Sequence, residues 1–519
     1  TILNRALIPE DGLKPVQRRI IYSMFLDGVK NGKMMKAATI AANTMGRLHP
    51  HGNTSIEEAL ARLGQTFVMR VPLIEVQGSV GFLTGDAPAS ARYWEGSLSE
   101  AAVELVKNIK NNSVPMSRNF SDTMDEPVLL PVNWPSGIIN GTDGIAVGYA
   151  SSIPPHNPNE VMDACIARLE GKINNLEDLM QYIKGPDFPT YGEVMGTDGI
   201  KEYLETGSGS FIVRGKYTIN PLSRGRNEII FTELPYQVSA GQVMTAIKKA
   251  QTDKNKLKDI SEAKDLSGMD TGLKLSIYVK AGANPKIVLE DLWKLTPCEQ
   301  SISVNSTILI NSKPERVGMI VLLDQFLTFK EQCFVRSTEF KISELEKEIE
   351  KLEGIIAVLL DVDKAIKIIR SSSDEEVAST KLQKTFKINE NQAKYILQMQ
   401  LRTLTKSDRD KTMERANDLK NELTRLNNIL DNDDLLKDEI IKELKETKEK
   451  IASDRMTSIN DITIQDIKEA SIEQKKQEKA LAKNINCYLT VLCNNHIIKT
   501  IDPFDKRLDI PIDKTIIAK

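Results

Sequence analysis

Cysteine and long apolar segments are both scarce in this sequence of 519 residues. The five cysteines form no C-x-x-C pair, which argues against a zinc site and fits a reducing compartment. No apolar run approaches the roughly 18 residues that a membrane-spanning helix needs, and the first residues show no basic-then-apolar signal segment. We therefore expect a cytoplasmic protein that has no membrane partner.

Charge is nearly balanced overall but unevenly distributed along the chain. The formal net charge is −3, yet residues 1–50 carry eight lysines and arginines against three acidic residues. The acidic residues lie mainly in the second half, where they alternate with lysines. This distribution is typical of a phosphate-binding head on a solvated helical stalk. The length by itself predicts three or four domains.

Tyr93 follows Arg92 at the end of a stretch of small residues, with glycines at positions 78, 81 and 85 before it. Such a stretch predicts a thin, flexible loop on which a tyrosine can be reached by a bulky partner. A phenol has a pKa of about 10 and needs a neighbouring cation to act as a nucleophile at neutral pH. Arg92 would supply that cation. The alternative is an ordinary loop tyrosine that packs on the adjacent tryptophan.

The residues before Tyr93 have the pattern of a helix-turn-helix. Apolar residues at helical spacing predict a helix over 16–29 and an alanine-rich helix over 36–48. Pro50 and Gly52 end the second helix, and residues 54–57 (TSIE) predict a capping box that opens a third. Residues 66–95 then supply short strands, one of them over 67–71, and a loop. This order predicts a winged helix with Tyr93 on the wing.

Residues 128–160 form a turn-rich β segment. Its glycines lack the G-x-x-x-x-G-K-[ST] pattern of a phosphate loop, so we predict no ATP site there. Ile153 precedes two prolines, which indicates a rigid, exposed apolar wedge. The alternative places Ile153 in the core.

The remaining chain divides into a mixed region and a helical region. Helices over 160–170 and 238–253, with strands over 211–214, 228–231 and 273–279, predict an α/β accessory domain. Leucines and isoleucines at heptad spacing over 345–359 and 419–430 predict an antiparallel hairpin of long helices. Each arm would reach about 60 Å at about 1.5 Å per residue. A charged linker and a β-hairpin near residues 487–500 follow.

Several motifs occur in an order that resembles one family, the DNA-cleaving A subunit of type IIA topoisomerases of the gyrase and topoisomerase IV type. The resemblance runs from about residue 5 to about residue 459. The motifs are residues 8–20 (IPEDGLKPVQRRI), 49–52 (HPHG), 89–93 (ASARY), 140–148 (NGTDGIAVG), 153–157 (IPPHN) and 185–190 (GPDFPT).

The resemblance implies an α+β multidomain protein. A winged-helix (CAP-like) DNA-cleavage domain would occupy residues 1–130, and an α/β tower domain residues 131–325. A long antiparallel coiled coil would occupy residues 326–460 and carry a helical dimer gate near 371–408. A linker over 461–483 and the start or remnant of a C-terminal β-pinwheel over 484–519 would complete the chain.

The resemblance also implies roles for particular residues. Tyr93 would be the nucleophile that forms a 5′-phosphotyrosyl bond, and Arg92 would neutralise charge on the phosphate. The residues expected to hold DNA are Arg5, Lys14, Arg18, Arg19, Arg47, His49, His51, Asn53, Thr54, Ile153 and His156, with Ile153 inserted between base pairs. Gln17, Asn53 and residues 80–84 depart from the usual family pattern, which puts local DNA contacts in doubt but not the chemistry.

We expect Mg²⁺ and ATP to be held by a gyrase-B-like ATPase and Toprim partner, in a complex of two A and two B chains on double-stranded DNA. The acidic pairs at 361–363 and 431–434 are predicted to be helix caps, so no metal ligand is assigned in this chain. Two alternatives compete with this interpretation. A dimeric winged-helix binding protein with an inert Tyr93 is the main one, and a tyrosine recombinase lacks the Arg-His-Arg cluster that it would need.

Overall fold

The computed structural model describes residues 7–253, 256–268, 270–398, 406–461, 489–493, 496–501 and 516–517. Arg5, most of the predicted linker and the end of the gate motif at residues 399–405 lie outside the described residues. The chain divides into one unit of residues 1–194 and 198–459 and a second of residues 195–197 and 460–519. Among the described residues, no helix combines the length and the apolar character needed to cross a membrane.

The N-terminal segment packs helices against a small antiparallel sheet. Its elements are α1 (Pro15–Leu26), β1 (Met35–Lys36), α2 (Ala37–Arg47), α3 (Asn53–Gly64), β2 (Ile74–Gln77) and β3 (Glu95–Leu98). The apolar side chains that recur at helical spacing, such as Ile20, Ile21 and Met24, are buried in the shared core. The strands lie in the order β1-β3-β2. Residues 78–94 connect β2 to β3, and we call them the tyrosine loop because they carry Tyr93.

Two local predictions in this segment are wrong. The helix α3 begins at Asn53, and its N-cap is Gly52 without any side-chain cap, so no capping box opens it at residue 54. Residues 67–71 form turns instead of a strand. Met69 and Val71 are buried in this irregular stretch, and Arg70 between them forms a buried ion pair with Asp187.

Short elements continue the main unit up to residue 214. They are α4 (Glu100–Leu105), β4 (Met116–Arg118), β5 (Asp125–Pro127), α5 (Ser136–Ile139), β6 (Thr142–Ala146), β7 (Tyr149–Ile153), α6 (Pro158–Leu169), α7 (Leu176–Tyr182), β8 (Glu193–Met195), α8 (Asp198–Thr206) and β9 (Ser208–Arg214). Strands β6 and β7 pair as an antiparallel hairpin, in which Thr142 lies opposite Ile153.

Residues 217–298 build a hydrophobic core of their own. Its elements are β10 (Tyr217–Pro221), β11 (Asn227–Phe231), α9 (Ala240–Asp253), β12 (Ile260–Asp265), β13 (Leu275–Val279) and α10 (Pro285–Leu295). The sheet runs β10-β11-β13-β12, and the buried faces of α9 and α10 contribute to the same core as its strands. We call this part the second core. The predicted α/β character is confirmed, whereas the domain boundaries stay predictions.

The last part of the main unit is mostly helical. It contains β14 (Glu299–Asn305), β15 (Thr307–Ile310), β16 (Lys313–Arg316), α11 (Met319–Leu359), α12 (Val362–Arg370), α13 (Glu375–Phe386), α14 (Glu390–Gln398), α15 (Lys406–Leu430), α16 (Asp433–Ile451) and β17 (Ser458–Asn460). A larger sheet runs β17-β8-β9-β14-β7-β6.

Helix α11 is 41 residues long, and α15 and α16 return along it. Lys330 near the start of α11 pairs with Glu443, and Glu353 near its end pairs with Lys420. These pairs show that the return is antiparallel, so the predicted helical hairpin is confirmed. The short helices at its far end, α12 to α14, enclose a small core around Leu382.

The second unit contains β18 (Leu489–Cys493), β19 (His496–Ile501) and β20 (Ile516–Ile517). Strands β18 and β19 pair antiparallel, with Leu489 opposite Ile501. The hairpin predicted near residues 487–500 is therefore confirmed within the described residues.

Candidate functional site

The backbone on both sides of Tyr93 is fixed while its side chain faces solvent. The first two N–H groups of α2, those of Ala37 and Ala38, donate to the carbonyl oxygens of Trp94 and Ala91 at 3.1 Å each. Trp94 is buried in the core, whereas 66% of Tyr93 is exposed. The phenol therefore projects from a support that two hydrogen bonds and a buried indole hold in place.

Glycine gives the tyrosine loop its close turns. Gly78 has φ +119°, and a Cβ atom there would lie 2.6 Å from the Cβ atom of Trp94. Gly81 has φ +93°, and a Cβ atom there would lie 2.5 Å from the carbonyl oxygen of Asp86. Side chains are excluded at both positions by space and by backbone conformation. The sequence signal of small residues is thus explained by the path of the loop.

Arg92 lies directly over the ring of Tyr93. The guanidinium carbon is 4.9 Å from the ring centroid, a cation–π distance. Both side chains are exposed, and within the described residues Arg92 forms no ion pair with a carboxylate. The guanidinium is therefore available to an incoming anion, and the alternative in which Tyr93 packs on Trp94 is not what the structure contains.

Arg19 and two histidines form a cluster just before α3. Arg19 holds Glu126 with two hydrogen bonds of 2.9 and 2.8 Å, and its Nη1 lies 3.1 Å from Nδ1 of His49. The rings of His49 and His51 stack with centroids 4.4 Å apart. The chain then enters α3, where Thr54 is exposed and Asn53 donates its side-chain amide to Glu57. These five predicted residues share one surface.

Two other residues that were predicted to contact DNA, Arg47 and Lys14, are bound to groups of this same chain. Arg47 pairs with Asp27 at 2.8 Å and stays partly exposed. Lys14 donates to the carbonyl oxygen of Asp143. Its pKa lies below the usual value because burial and the nearby Arg62 guanidinium outweigh the attraction of Asp143.

Arg18, which was also predicted to contact DNA, lies in the core and not on an exposed surface. Its guanidinium is buried and binds the carboxylate of Asp11 through Nε at 2.6 Å and Nη2 at 2.8 Å, and it also donates to the carbonyl oxygen of Leu13. Burial alone would lower the pKa of Arg18, but Asp11 raises it above the usual value. Arg18 therefore organises the turn before α1 from within the core.

Ile153 and His156, predicted to contact DNA, are placed in the core as well. Ile153 is 3% exposed, so it belongs to the core and not to a surface wedge. His156 is 0% exposed, with Nδ1 3.1 Å from the carbonyl oxygen of Ile138 and Nε2 3.0 Å from the hydroxyl of Tyr203. Burial lowers the pKa of His156 to about 4. His156 is thus held within the core, between the carbonyl oxygen of Ile138 and the hydroxyl of Tyr203.

The exposed apolar residue in this region is Ile145, which the sequence reasoning missed. It lies at the end of β6, at the tip of the β6–β7 hairpin, and is 89% exposed. Val147 beside it is 82% exposed. The sequence does contain a signal for this exposure. Ile145 and Val147 lie between Gly144 and Gly148, in a turn that is too short to bury two apolar side chains.

The two acidic stretches, residues 361–363 and 431–434, lie at the N-termini of α12 and α16. The carboxylate of Asp361 accepts a hydrogen bond from the N–H of Lys364 and caps α12, and the side chain of Asn432 caps α16. The interpretation of both stretches as caps is confirmed. In the part of the chain that the structure describes, no group of three or more His, Cys, Asp or Glu side chains is arranged to hold a metal ion.

Fold and site together define a class: a protein of mixed helices and sheets, which presents a cation-paired tyrosine, carries a cluster of one arginine and two histidines, and extends a long helical hairpin. Residues 5–445 match the profile of the family described as the A subunit of DNA gyrase/topoisomerase IV. The chain therefore belongs to this family.

Individual relatives agree with the family match. The chain is 36% identical over 479 residues to the A subunit of DNA gyrase from Staphylococcus epidermidis, covering 92% of this chain and 53% of the relative. It is 38% identical over 492 residues to the A subunit of DNA topoisomerase 4 from Bacillus subtilis, covering 94% and 60%. It is 37% identical over 461 residues to the corresponding topoisomerase 4 protein of Streptococcus pyogenes, covering 88% and 56%. The chain thus spans little more than half the length of these relatives.

Proposed function

We propose that this chain is the DNA-breaking and rejoining subunit of a type IIA topoisomerase, which changes DNA topology by passing one duplex through a transient break in another. The observation that carries the proposal is the exposed Tyr93 under the Arg92 guanidinium, in a chain of the gyrase and topoisomerase IV family. The runner-up, a binding protein with an inert tyrosine, gains no support from a phenol that is exposed and paired with an available cation.

The chemistry is a transesterification. The phenolic oxygen of Tyr93 attacks the phosphorus, a new O–P bond forms to the 5′ side, and the bond from phosphorus to the 3′ oxygen breaks. The phenol proton passes to solvent, and the released 3′ oxygen takes up a proton. One phosphoester replaces another, so the bond energy is kept for resealing, which is the reverse step. Arg92 offsets the negative charge that builds up on the phosphate.

DNA is held by a winged helix. In this proposal α2 and α3 form the helix-turn-helix, and β1-β3-β2 with the tyrosine loop forms the wing. The open N-terminus of α3 offers N–H groups to a phosphate, beside Arg19, His49 and His51. The other residues proposed to contact DNA are Arg5, Lys14, Arg47, Asn53 and Thr54.

Bending is assigned to Ile145 in place of Ile153. An apolar side chain at the tip of a hairpin can enter between base pairs, which costs a few kcal/mol of unstacking and kinks the duplex. The exposure of Ile145 supports this role, because insertion would remove an apolar surface from water.

The remaining parts serve support and assembly. The second core is the tower, and α12 to α14 at the far end of the helical hairpin are the gate where two copies meet. The active assembly contains two copies of this chain and two of a gyrase-B-like ATPase and Toprim protein, acting on the chromosome in the cytoplasm. Its reaction depends on Mg²⁺ and ATP. The described residues contain no group of three or more His, Cys, Asp or Glu side chains that could hold a metal ion, so Mg²⁺ is assigned to the partner. ATP is assigned there too, because the glycines of residues 128–160 lack the phosphate-loop pattern.

The test is the covalent adduct on a denaturing gel, formed with DNA, Mg²⁺ and a gyrase-B-like partner. Tyr93→Phe removes the attacking oxygen and is expected to abolish adducts while DNA affinity stays within about twofold. Arg92→Ala is expected to lower adduct yield by about a hundredfold or more and to weaken binding slightly. Tyr278→Phe is the matched control, because Lys264 lies 5.7 Å from the centroid of that half-buried ring, which has no assigned role in cleavage. Adducts that persist in Tyr93→Phe would overturn the assignment.

A further inference from the structure

Residues 236–241, which lead into α9 of the second core, contact both functional parts of the site. We call them the bridging segment. Tyr236 donates its hydroxyl to the carbonyl oxygen of Val68 at 2.8 Å, just after α3. Its ring also stacks on Phe188 with centroids 5.2 Å apart. This end of the segment is therefore anchored to the main unit.

One contact of the bridging segment reaches the β6–β7 hairpin. The amide of Gln237 donates to Oδ2 of Asp143 at 3.1 Å. The other oxygen of Asp143 accepts from the hydroxyl of Ser152 at 2.9 Å, and Lys14 binds its carbonyl oxygen. Asp143 lies two residues before Ile145, so these bonds fix the base of the hairpin whose tip carries the exposed isoleucine.

A second contact of the bridging segment reaches the tip of the tyrosine loop. The N–H of Ala240 donates to the carbonyl oxygen of Leu83 at 3.4 Å, and the side chain of Leu83 packs against the second core. Gly85 approaches Ser239 so closely that a Cβ atom there would lie 3.0 Å from the serine hydroxyl. The loop is thus held at its base by α2 and at its tip by the bridging segment.

The backbone of Gln237 is strained in this arrangement. Its φ is +63°, in the left-handed region that residues other than glycine seldom adopt. A strained residue persists where surrounding contacts hold it, and such residues concentrate at functional sites. Here the strain turns the Gln237 amide toward Asp143 immediately before the chain enters α9.

We propose that the bridging segment is a mechanical link between DNA bending and strand cleavage, with Gln237 and Leu83 as positioning residues. When the duplex bends around Ile145, the base of the hairpin moves, and the segment transmits that movement to the loop that carries Tyr93. The link rests on the function proposed above. It predicts that damage at the loop end changes bending and that damage at the hairpin end changes cleavage.

The test uses two variants, each at one end of the link, in the full chain together with its gyrase-B-like partner. Gln237→Glu sets a carboxylate against Asp143, and Leu83→Ala removes the apolar anchor of the loop. Bending is measured by fluorescence transfer between the ends of a short duplex, and cleavage by adduct yield. Each variant is expected to reduce bending and to lower cleavage by about fivefold, the effect of one lost hydrogen bond or contact, with unchanged DNA affinity and melting temperature.

Controls and the double variant make the test specific. Gln181→Glu, the same change on the exposed face of α7, and Leu435→Ala on α16 should change neither bending nor cleavage. Because the two ends act in series, Gln237→Glu with Leu83→Ala should be no worse than either alone. Adding Asp143→Asn to Gln237→Glu should restore function, because the asparagine amide can donate to the new carboxylate.

The possible results distinguish a failure of the mechanical link from a failure of the proposed cleavage function. If the unaltered chain forms no adducts, the proposed function fails, while the effect of Leu83→Ala on bending still tests the link. If the unaltered chain cleaves DNA and the two variants reduce cleavage by independent factors that multiply, the link is wrong. Normal bending in Leu83→Ala would also overturn it.

Discussion

Tyr93 and Trp94 are neighbours in the chain with opposite environments, at the point where the tyrosine loop ends and β3 begins. The indole enters the core under α2, and the phenol is left outside with Arg92. The same contrast separates Ile145 from Ile153 on one hairpin. At this level the candidate site consists of the residues that packing leaves outside, together with the cations that reach them.

The two isoleucines provide a paired test at the level of the residue. Ile145→Ala is expected to reduce DNA bending with little change in melting temperature, since the side chain has no core to leave. Ile153→Ala is expected to cost about 2–5 kcal/mol of unfolding free energy, as for other buried large-to-small changes. Fluorescence transfer and urea denaturation measure the two effects. If DNA bends normally with Ile145→Ala, then Ile145 is not the side chain that enters between base pairs.

His156 makes stability depend on pH in a defined direction. Its pKa in the folded chain is lowered from 6.5 to about 4 by burial, so the unfolded chain binds the proton more readily. The contribution of this neutral imidazole is fully present above pH 6.5 and is lost as pH falls toward 4, by up to about 3 kcal/mol. His156→Gln should flatten that part of the stability profile in urea titrations. An equal slope in both proteins would contradict the burial argument.

Two kinds of ion pair join the parts of the helical hairpin and its base: exposed pairs between helices and one buried pair behind the segment that follows α16. On the helical hairpin, exposed pairs such as Arg415 with Glu348 connect α15 to α11. After α16, residues 452–457 are fastened to the body by Asp187, which is fully buried. Asp187 accepts from Arg70 at 2.8 Å, from Asn157 at 3.0 Å and from two backbone N–H groups of the segment at 2.8 Å each. The buried pair of Arg70 and Asp187 therefore fixes the base of the helical hairpin.

The two kinds of contact should differ in their effect on stability. Asp187→Ala leaves the Arg70 guanidinium buried and unpaired, so we expect a loss of about 3–5 kcal/mol. Arg415→Ala breaks an exposed pair and should cost at most about 1 kcal/mol. Denaturant titration gives both values, and limited proteolysis near residues 452–457 should be faster only in Asp187→Ala. Equal losses in the two variants would show that the segment is not fastened in this way.

At the level of the whole molecule, the distribution of charge matters more than the net charge. The basic residues of the first fifty positions belong to the same N-terminal segment as Tyr93, while the helical hairpin balances its own charges by pairs such as Lys420 with Glu353. A chain with a net charge of −3 can therefore bind a polyanion through one surface.

The purified chain alone is expected to dimerise and to bind duplex DNA with a steep salt dependence. Affinity should fall by about 10³-fold between about 50 and about 200 mM salt if six or more phosphates are contacted. It should neither hydrolyse ATP nor form appreciable adducts until a gyrase-B-like partner is added. The same partner with a damaged acidic cluster should not restore cleavage. Full cleavage by the chain alone would redirect attention to Asp361 and Asp363.

Periodicity and residue type determined much of this protein from the sequence alone. Heptad spacing predicted the long helix α11 and its antiparallel partner, because a helix of that length repeats one apolar stripe. Glycines before Arg92 predicted the loop that presents Tyr93, since only a residue without Cβ fits those turns. Pro and Gly near residue 50 predicted the break between α2 and α3.

Burial was decided only by the tertiary structure. Ile153, His156 and Arg18 lie in motifs that resemble DNA-binding positions, yet each is buried, and the hydroxyl that meets His156 comes from Tyr203, which is far away in sequence. Ile145 is exposed because the hairpin tip extends beyond any such neighbour. A residue's own type and spacing give its preference for the core or the surface, whereas the elements that pack against it determine where it lies, and those elements meet only in the folded chain.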